Sequence, residues 1–256
     1  MGLPAPTSAS LVSFDAWPYP KRCAHRGAGK LAPENTLAAF RHGASFGFKM
    51  FEFDAKLSGD GVALLMHDPT LERTSNGLGR VAGKTFGELS QLDAGSWHSA
   101  AYAGESIPSL EAIARWLNAN HCLANIEIKP CPGRDAETGA AIALEARRLF
   151  AGQIIPPLLS SFSELALEAA RQAVPELPRG LLVNQLPSDW VARCKRLECV
   201  AIDPHYSQLS REMIALAHAE GLRVATYTVN DLEMAERLGS WGLDVLITDI
   251  VDRIKP

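Results

Sequence analysis

Two acidic residues stand two positions apart in the apolar stretch M-F-E-F-D-A. In a β-strand, Glu52 and Asp54 would project from the same face, because side chains alternate between the two faces. Two neighbouring carboxylates are costly to bury unless a cation lies between them. The spacing therefore fits a divalent-metal site, and it fits equally well the solvated end of a strand with two exposed acids.

A second apolar run, V-A-L-L-M-H-D, follows after the short segment S-G-D-G. So few residues cannot form a parallel crossover, which predicts an antiparallel hairpin. If Asp60 and Gly61 form its turn, Asp54 lies opposite His67, and a shift by two residues would place Glu52 there instead. In either register, we expect both acids and the histidine to share one face.

Basic and acidic side chains end two further predicted strands. His25 and Arg26 follow the run R-C-A, and Glu127 and Lys129 lie two positions apart in N-I-E-I-K. Each pair alone could be a solvated turn or a surface ion pair. If the strands are parallel, their ends meet at the carboxyl-terminal mouth of a barrel, where barrel enzymes have their active sites. The combination therefore predicts one catalytic site at this mouth.

Short apolar runs alternate with helical patterns from Lys21 onward, as in repeated β-α units. This alternation predicts an α/β protein with a (β/α)8 TIM barrel, although an open doubly wound sheet is also compatible. The predicted strands are residues 22–26, 50–57, 123–129, 154–161, 180–184, 198–203, 222–229 and 244–248. The predicted helices are residues 35–46, 109–119, 136–150, 163–173, 188–196, 209–219 and 230–239, with Ser163, Ser188 and Asn230 as candidate helix starts.

One domain accounts for this pattern. Residues 1–20 contain four prolines and are expected to be an irregular lead-in. Residues 21–256 are expected to form the barrel, with residues 69–108 as an insertion above it.

Composition narrows the class of function. The net charge of −4 gives no indication of a nucleic-acid or anionic-membrane surface. The five cysteines lack C-x-x-C spacing, so buried reduced thiols are expected rather than disulfides or thiolate-bound zinc. The first 20 residues have no signal-peptide pattern, and no apolar run approaches the about 20 residues that span a bilayer. We therefore expect a cytoplasmic protein.

In order and spacing, these residues resemble the glycerophosphodiester phosphodiesterases, a family of barrel enzymes. Two positions depart from the family pattern: Tyr227 stands where tryptophan is usual, and Ile250-Val251 replaces x-Pro near the end. The shared motifs, within residues 21–250, are His25-Arg26-Gly27, Pro33-Glu34-Asn35-Thr36, Glu52-Phe53-Asp54, His67-Asp68, Glu127-Ile128-Lys129, Ser161-Phe162, Thr228-Val229-Asn230 and Thr248-Asp249.

The resemblance implies that Glu52, Asp54 and Glu127 bind a divalent metal and that His25 and His67 form a general acid-base pair. Carboxylate ligands alone favour Mg²⁺ or Ca²⁺ over Zn²⁺. Histidine suits proton exchange near neutrality, because its unperturbed pKa is about 6.5.

The resemblance also implies that Arg26 and Lys129 bind the non-bridging phosphate oxygens, the arginine through its planar fork and the lysine as a point charge. Phe162 and Tyr227 either line the substrate pocket or pack at the barrel rim. Residues expected to orient the others are Glu34, Asn35 and Asp68. Histidines outside the motifs, expected to be structural or at the surface, are His42, His121, His205 and His218.

The implied reaction is hydrolysis of a glycerophosphodiester to sn-glycerol 3-phosphate and an alcohol. The nucleophile is either the glycerol hydroxyl of the substrate, through a cyclic phosphate, or water. Alternatives on the same barrel are a phospholipase D-like or cyclising phospholipase and a catalytically inert binding protein. A zinc amidohydrolase would instead need H-x-H on the first strand. The head group, the physiological metal and the oligomeric state stay open.

Overall fold

Hydrogen bonds close eight parallel strands into a barrel. The computed structural model describes residues 17–256, and their strands are β1 (Arg22–Ala24), β2 (Met50–Leu57), β3 (Ala63–Leu65), β4 (Leu123–Ile128), β5 (Leu158–Ser161), β6 (Arg179–Val183), β7 (Ala201–Pro204), β8 (Arg223–Thr226) and β9 (Val245–Thr248). Within these residues every strand except β3 runs parallel to its neighbours, and β1 pairs with both β2 and β9. The predicted (β/α)8 barrel is confirmed. An open doubly wound sheet is excluded, because it would leave two unpaired edges.

Helices connect the parallel strands on the outside of the barrel. They are α1 (Leu37–Ser45), α2 (Phe86–Leu89), α3 (Leu110–Ala119), α4 (Asp135–Leu149), α5 (Glu164–Ala173), α6 (Trp190–Arg196), α7 (Arg211–Ala219) and α8 (Leu232–Ser240). All but the short α2 were predicted, and their ends agree to within two residues. Strand β5 starts later than expected, after Pro156 and Pro157, whose nitrogens carry no hydrogen for a ladder bond.

Side chains at helix starts bind backbone N–H groups that the helix leaves free. The hydroxyl of Ser163 accepts such a bond from the first turn of α5, as predicted. The other two predicted starts are wrong. Asp189, not Ser188, precedes α6, and Asp231, not Asn230, accepts the capping bond of α8.

Alternate side chains of β2 face the helices and the barrel interior. Phe51 and Phe53 point outward, and the ring of Phe40 on α1 lies 5.4 Å from each of them. Each such buried ring contributes roughly 1.5–3 kcal/mol of hydrophobic stabilisation. This packing fixes which face of β2 points inward.

The amino-terminal half of the barrel interior is apolar. Met50 belongs to this inner cluster, together with Tyr19, whose hydroxyl donates to the carbonyl of Pro156 at 2.8 Å. The next inward residues of β2 are Glu52 and Asp54, toward the carboxyl-terminal end. The apolar cluster therefore closes one end of the barrel and leaves the polar residues at the other.

The β2–β3 hairpin has a three-residue loop, so the predicted two-residue turn is wrong. The N–H of Ser58 donates to the carbonyl of Val62 at 3.0 Å, which leaves residues 59–61 as the loop. Gly61 has a φ of 82°. Such loops need this left-handed conformation near their end, and glycine adopts it without steric cost.

The longer loop shifts the hairpin register by one residue. Ala55 pairs with Leu65, and the N–H of Met66 donates to the carbonyl of Asp54 at 3.0 Å. Both predicted registers are therefore wrong. An extended continuation of β3 would turn His67 to the outer face, but the strand ends at Leu65 and the chain bends from residue 67.

The connection between β3 and α3 packs around a small apolar cluster of its own. Leu71, Val81 and Leu89 of this connection belong to one buried apolar cluster with Leu64 of β3. The division of the chain at residues 20 and 21 stays a prediction, since residues 1–16 lie outside the described part.

None of the helices among residues 17–256 has the length and apolar character that crossing a bilayer requires.

Asp203 is a fully buried acid on the inner face of β7. Within the described part of the chain, neither of its carboxylate oxygens has a side-chain hydrogen-bond donor. Burial and the negative charge of Glu127 raise the pKa of Asp203 to about 7, although the backbone of Ala225 opposes this. The carboxyl group is therefore largely neutral at pH values where most aspartates are charged.

Asp203→Asn should remove a pH dependence of stability. Because the unfolded chain releases this proton at a lower pH than the folded protein, the wild-type free energy of unfolding falls as the pH rises from about 4 to about 7. Relative to Asp203→Asn, the loss should approach roughly 1.4 kcal/mol per pH unit across this interval. Urea unfolding of both proteins at pH 4 and pH 8 measures it. An equal stability difference at the two pH values would contradict the assignment.

Candidate active site

A cavity of about 1000 Å³ opens at the carboxyl-terminal end of the barrel. Seven residues were predicted to bind metal or phosphate or to transfer protons. Six of them line the cavity: His25, Arg26, Glu52, His67, Glu127 and Lys129. The seventh, Asp54, is fully buried beside Glu52 and Glu127. The fold therefore brings all seven predicted residues together.

Three buried carboxylates meet at the base of this cavity. Glu52, Asp54 and Glu127 each offer an oxygen, and these oxygens lie within 4.8 Å of one another. Glu52 Oε1 and Asp54 Oδ1 are buried and receive no hydrogen bond from any described residue. Leaving buried carboxylate oxygens without a partner is costly, and a cation would satisfy both of them. Because the donors are all carboxylate oxygens, the set fits Mg²⁺ or Ca²⁺.

The three carboxyl groups differ in their readiness to ionise. Burial, together with the charges of Asp54 and Glu127, holds the pKa of Glu52 well above its usual range. Burial and Asp54 raise the pKa of Glu127 to about 7, against the effect of Lys129. Burial also disfavours the charged form of Asp54. The positive charge of Arg26 and the other cationic groups nearby outweigh the effect of burial, so the pKa of Asp54 is lowered. A bound divalent cation would relieve this repulsion.

Arg26 is fixed by three carboxylates. Its backbone N–H donates to Glu52 Oε2 at 3.1 Å, its Nη1 donates to Glu34 Oε1 at 3.0 Å, and its Nε lies 3.2 Å from Asp54 Oδ2. The residue adopts a φ of 49°, in the left-handed region, and its main-chain N–H contacts Glu52 while its side chain contacts Glu34 and Asp54. Further N–H groups of the planar guanidinium remain for an anion in the cavity.

Lys129 lies between the carboxylates and an aromatic wall. Its Nζ donates to Glu127 Oε1 at 2.6 Å, lies 3.8 Å from Asp54 Oδ1 and is 5.2 Å from the centre of the Phe162 ring. Burial opposes the charged form, but Glu127 and Asp54 raise the pKa of Lys129. The ammonium is therefore charged and faces the cavity.

His25 is oriented by a residue to which sequence analysis gave no role. Its Nδ1 lies 2.6 Å from Asp249 Oδ1, and its Nε2 lies 3.7 Å from Glu52 Oε2. Asp249 is itself held by Asn230, whose Nδ2 donates to Oδ2 at 2.7 Å. The signal was the Thr228-Val229-Asn230 and Thr248-Asp249 motifs, which match the family without indicating that they meet at a histidine.

His67, which also lines the cavity, has an equivalent arrangement. Its Nδ1 lies 2.7 Å from Asp68 Oδ1. Arg73 Nε donates to Asp68 Oδ2 at 2.6 Å, and its Nη1 donates to Glu34 Oε2 at 2.8 Å. Burial and the charge of Arg26 lower the pKa of His67, against Asp54 and Asp68. The ring is therefore largely neutral at pH 7, and no sequence signal singled out Arg73.

The three residues expected to orient others contact them directly. Asn35 Nδ2 donates to Asp54 Oδ2 at 2.9 Å, and the N–H of Asp54 donates back to Asn35 Oδ1 at 3.2 Å. As described above, Glu34 accepts from Arg26 and Asp68 contacts His67. Each residue thus restricts the side chain that it touches.

Aromatic side chains form the opposite wall of the cavity. Phe162 is 37% exposed, and its ring lies 5.6 Å from Tyr227 in an edge-to-face arrangement. The Tyr227 hydroxyl donates to the carbonyl of Val183 at 3.1 Å. His205, expected to be an ordinary histidine, also lines the cavity, with its ring 5.8 Å from Tyr227. His205 belongs to none of the family motifs. It reaches the cavity since closure of the barrel brings the end of β7 to this position.

This arrangement has the components of phosphodiester cleavage. An oxygen-lined cation site and two cationic side chains can hold a phosphate and offset its developing charge. Two histidines, each paired with an aspartate, can exchange protons on its two sides.

This chain matches the Glycerophosphoryl diester phosphodiesterase family over residues 25–253. It is 34% identical to the glycerophosphodiester phosphodiesterase of Caldanaerobacter subterraneus, covering 88% of this chain and 92% of that protein. It is 30% identical to that of Bacillus subtilis, covering 90% and 83%.

A solved structure gives the same result. The phosphodiesterase of Oleispira antarctica, in complex with the product sn-glycerol-3-phosphate, is 36% identical and superposes with a TM-score of 0.86. The alignment covers 92% of this chain and 95% of that one. The resemblance seen in the motifs is thus confirmed over nearly the whole chain, and this protein belongs to the glycerophosphoryl diester phosphodiesterase family of enzymes.

Proposed function

We propose that this protein hydrolyses glycerophosphodiesters to sn-glycerol 3-phosphate and an alcohol, with a divalent metal and two histidines. The observation that carries the proposal is the convergence of three carboxylates, two histidines and two cations at one barrel mouth. The relative in complex with sn-glycerol-3-phosphate supports this substrate class. A coupled assay for glycerol 3-phosphate over several head groups tests it, and the absence of product from every diester would contradict it.

Glu52, Asp54 and Glu127 would hold Mg²⁺ or Ca²⁺. When bound, the ion supplies Lewis-acid stabilisation of the charge on the phosphoryl oxygens. Arg26 and Lys129 bind the non-bridging oxygens from the same side. The phosphate is thereby oriented between the two histidines before any proton moves.

His25 and His67 transfer the protons. Each Nδ1 donates to an aspartate, Asp249 or Asp68, which leaves each Nε2 to exchange a proton with the substrate. One ring takes the proton from the attacking hydroxyl, which is either that of water or that of the glycerol; in the second case a cyclic phosphate forms, and water then opens it to sn-glycerol 3-phosphate. The other ring gives a proton to the oxygen of the departing alcohol.

The aromatic wall contacts the carbon skeleton of the substrate. Phe162 and Tyr227 would pack against the glycerol or the alcohol with their ring faces and edges. Tyr227 is narrower than the tryptophan usual in the family, so this side of the cavity accepts a bulkier group.

Removal of the metal should abolish hydrolysis. Because three carboxylates cannot share one site fully charged without a cation, we expect no glycerol 3-phosphate after EDTA treatment and recovery with Mg²⁺ or Ca²⁺. Glu52→Gln should weaken apparent metal affinity in a titration of activity. Full turnover by metal-free protein, or an unchanged titration for Glu52→Gln, would contradict the assignment.

Loss of either histidine should lower kcat by roughly 10²–10⁴-fold, the usual contribution of a positioned proton-transfer group. His25→Ala and His67→Ala are compared on glycerophosphocholine and on a p-nitrophenyl diester. A p-nitrophenolate leaves without protonation, so loss of the acid should be partly rescued there and loss of the base should not. Equal, small losses on both substrates would mean that these histidines are structural.

Removal of either cation should reduce kcat/KM while the fold survives. Arg26→Ala and Lys129→Ala each take away a positive charge assigned to the phosphate, and the effect should be on the order of 10²-fold or more. Thermal unfolding checks that the variants fold. Near wild-type kinetics for either variant would reassign that residue to a local ion pair.

A further inference from the structure

Lys56 is a fully buried lysine on β2, two residues beyond Asp54. Its Nζ donates to the main-chain carbonyls of His67 at 2.9 Å and Asp68 at 2.7 Å. Burying an ammonium is costly, and two neutral carbonyls compensate its charge less than a carboxylate would. An ammonium buried at such cost on a barrel strand, close to the proposed active site, suggests that it has a function there.

The two carbonyls belong to the segment that departs from the hairpin ladder. The ladder ends where Ala55 pairs with Leu65, and residues 67–69 bend. Continued extension would place His67 on the face opposite to Asp54. The bonds from Lys56 fix the bent path instead, and along this path the imidazole reaches the cavity.

Lys56 and Arg73 bind different groups of the same short segment, His67-Asp68. Lys56 binds the main chain at His67 and Asp68, whereas Arg73 binds the Asp68 carboxylate that pairs with the imidazole. Lys56 itself is not part of the cavity wall, so it cannot contact the substrate. Any effect on the reaction must therefore pass through another residue.

We infer that Lys56 is a positioning residue for His67: its ammonium fixes the main chain after β3 so that the imidazole faces the reacting phosphate. The inference rests on the proposed function, because it takes His67 as a proton-transfer group. A loosened segment would leave the ring in place only part of the time. A displacement of about 1 Å at a reacting group can cost on the order of 10²-fold in rate.

A double-mutant cycle tests this role. Lys56→Met keeps the length of the side chain and removes its donor, and it is combined with His67→Ala. On glycerophosphocholine at saturating Mg²⁺, Lys56→Met alone should lower kcat roughly 10–100-fold, with little change in KM. In the His67→Ala background, the same substitution should change kcat less than about twofold, because the ring that it positions is gone.

Two measurements separate positioning from other effects. Lys49→Met removes the same charge from an exposed site immediately before the same strand, and should leave kcat unchanged. The apparent Mg²⁺ affinity of Lys56→Met should match the wild type. If it weakens and the loss of kcat persists without His67, Lys56 acts through Asp54 and the inference is overturned.

The remaining outcomes are also decisive. An unchanged kcat for Lys56→Met overturns the inference and leaves the proposed function intact. If wild-type protein is inactive or His67→Ala is unimpaired, the proposed function fails instead. Should Lys56→Met not fold, Lys56→Gln, whose shorter amide can still donate, is measured in both backgrounds and must show the same dependence on His67.

Discussion

The mutual repulsion of three buried carboxylates is the constraint on which the rest of this site depends. One carboxylate oxygen each of Glu52, Asp54 and Glu127 lies within 4.8 Å of the others at the base of the cavity, where all three side chains are buried. Their convergence is stable only with positive charge nearby, and Arg26 and Lys129 provide part of it. In the proposed mechanism, these two cations and the metal meet the phosphate from one side, so that the charges that stabilise the carboxylate cluster would also hold the substrate.

The residues around this centre act mainly by restricting motion. Asp249 and Asp68 fix the two histidine rings, and each aspartate is held in turn, by Asn230 or by Arg73. Proton transfer requires heavy-atom separations of about 2.6–3.2 Å, which a freely rotating imidazole seldom meets. The aspartates also favour the Nδ1-protonated form of each ring, so both rings present Nε2 to the cavity.

The length of the loop in the β2–β3 hairpin affects the direction in which His67 points. One additional loop residue shifts the ladder, so that Met66 rather than His67 lies opposite Asp54. Regular pairing would then have turned His67 away from the carboxylates. Instead, β3 ends at Leu65 and the chain bends, so that His67 faces the cavity. The buried ammonium of Lys56 binds the main-chain carbonyls of this bent segment.

The amino-acid pattern predicted the (β/α)8 barrel, the ends of every described helix except α2 to within two residues and, with the family motifs, the seven residues that meet at the mouth of the barrel. Alternation of apolar runs and the spacing of Glu52 and Asp54 are local properties, and local properties fix secondary structure and the facing of side chains. The hairpin register, the contacts of Asp249 and Arg73 with the histidines' surroundings and the place of His205 in the cavity wall became known from the folded structure alone. A one-residue change of loop length leaves no signal in the hydrophobic pattern, and partners distant in the chain meet only when the barrel closes.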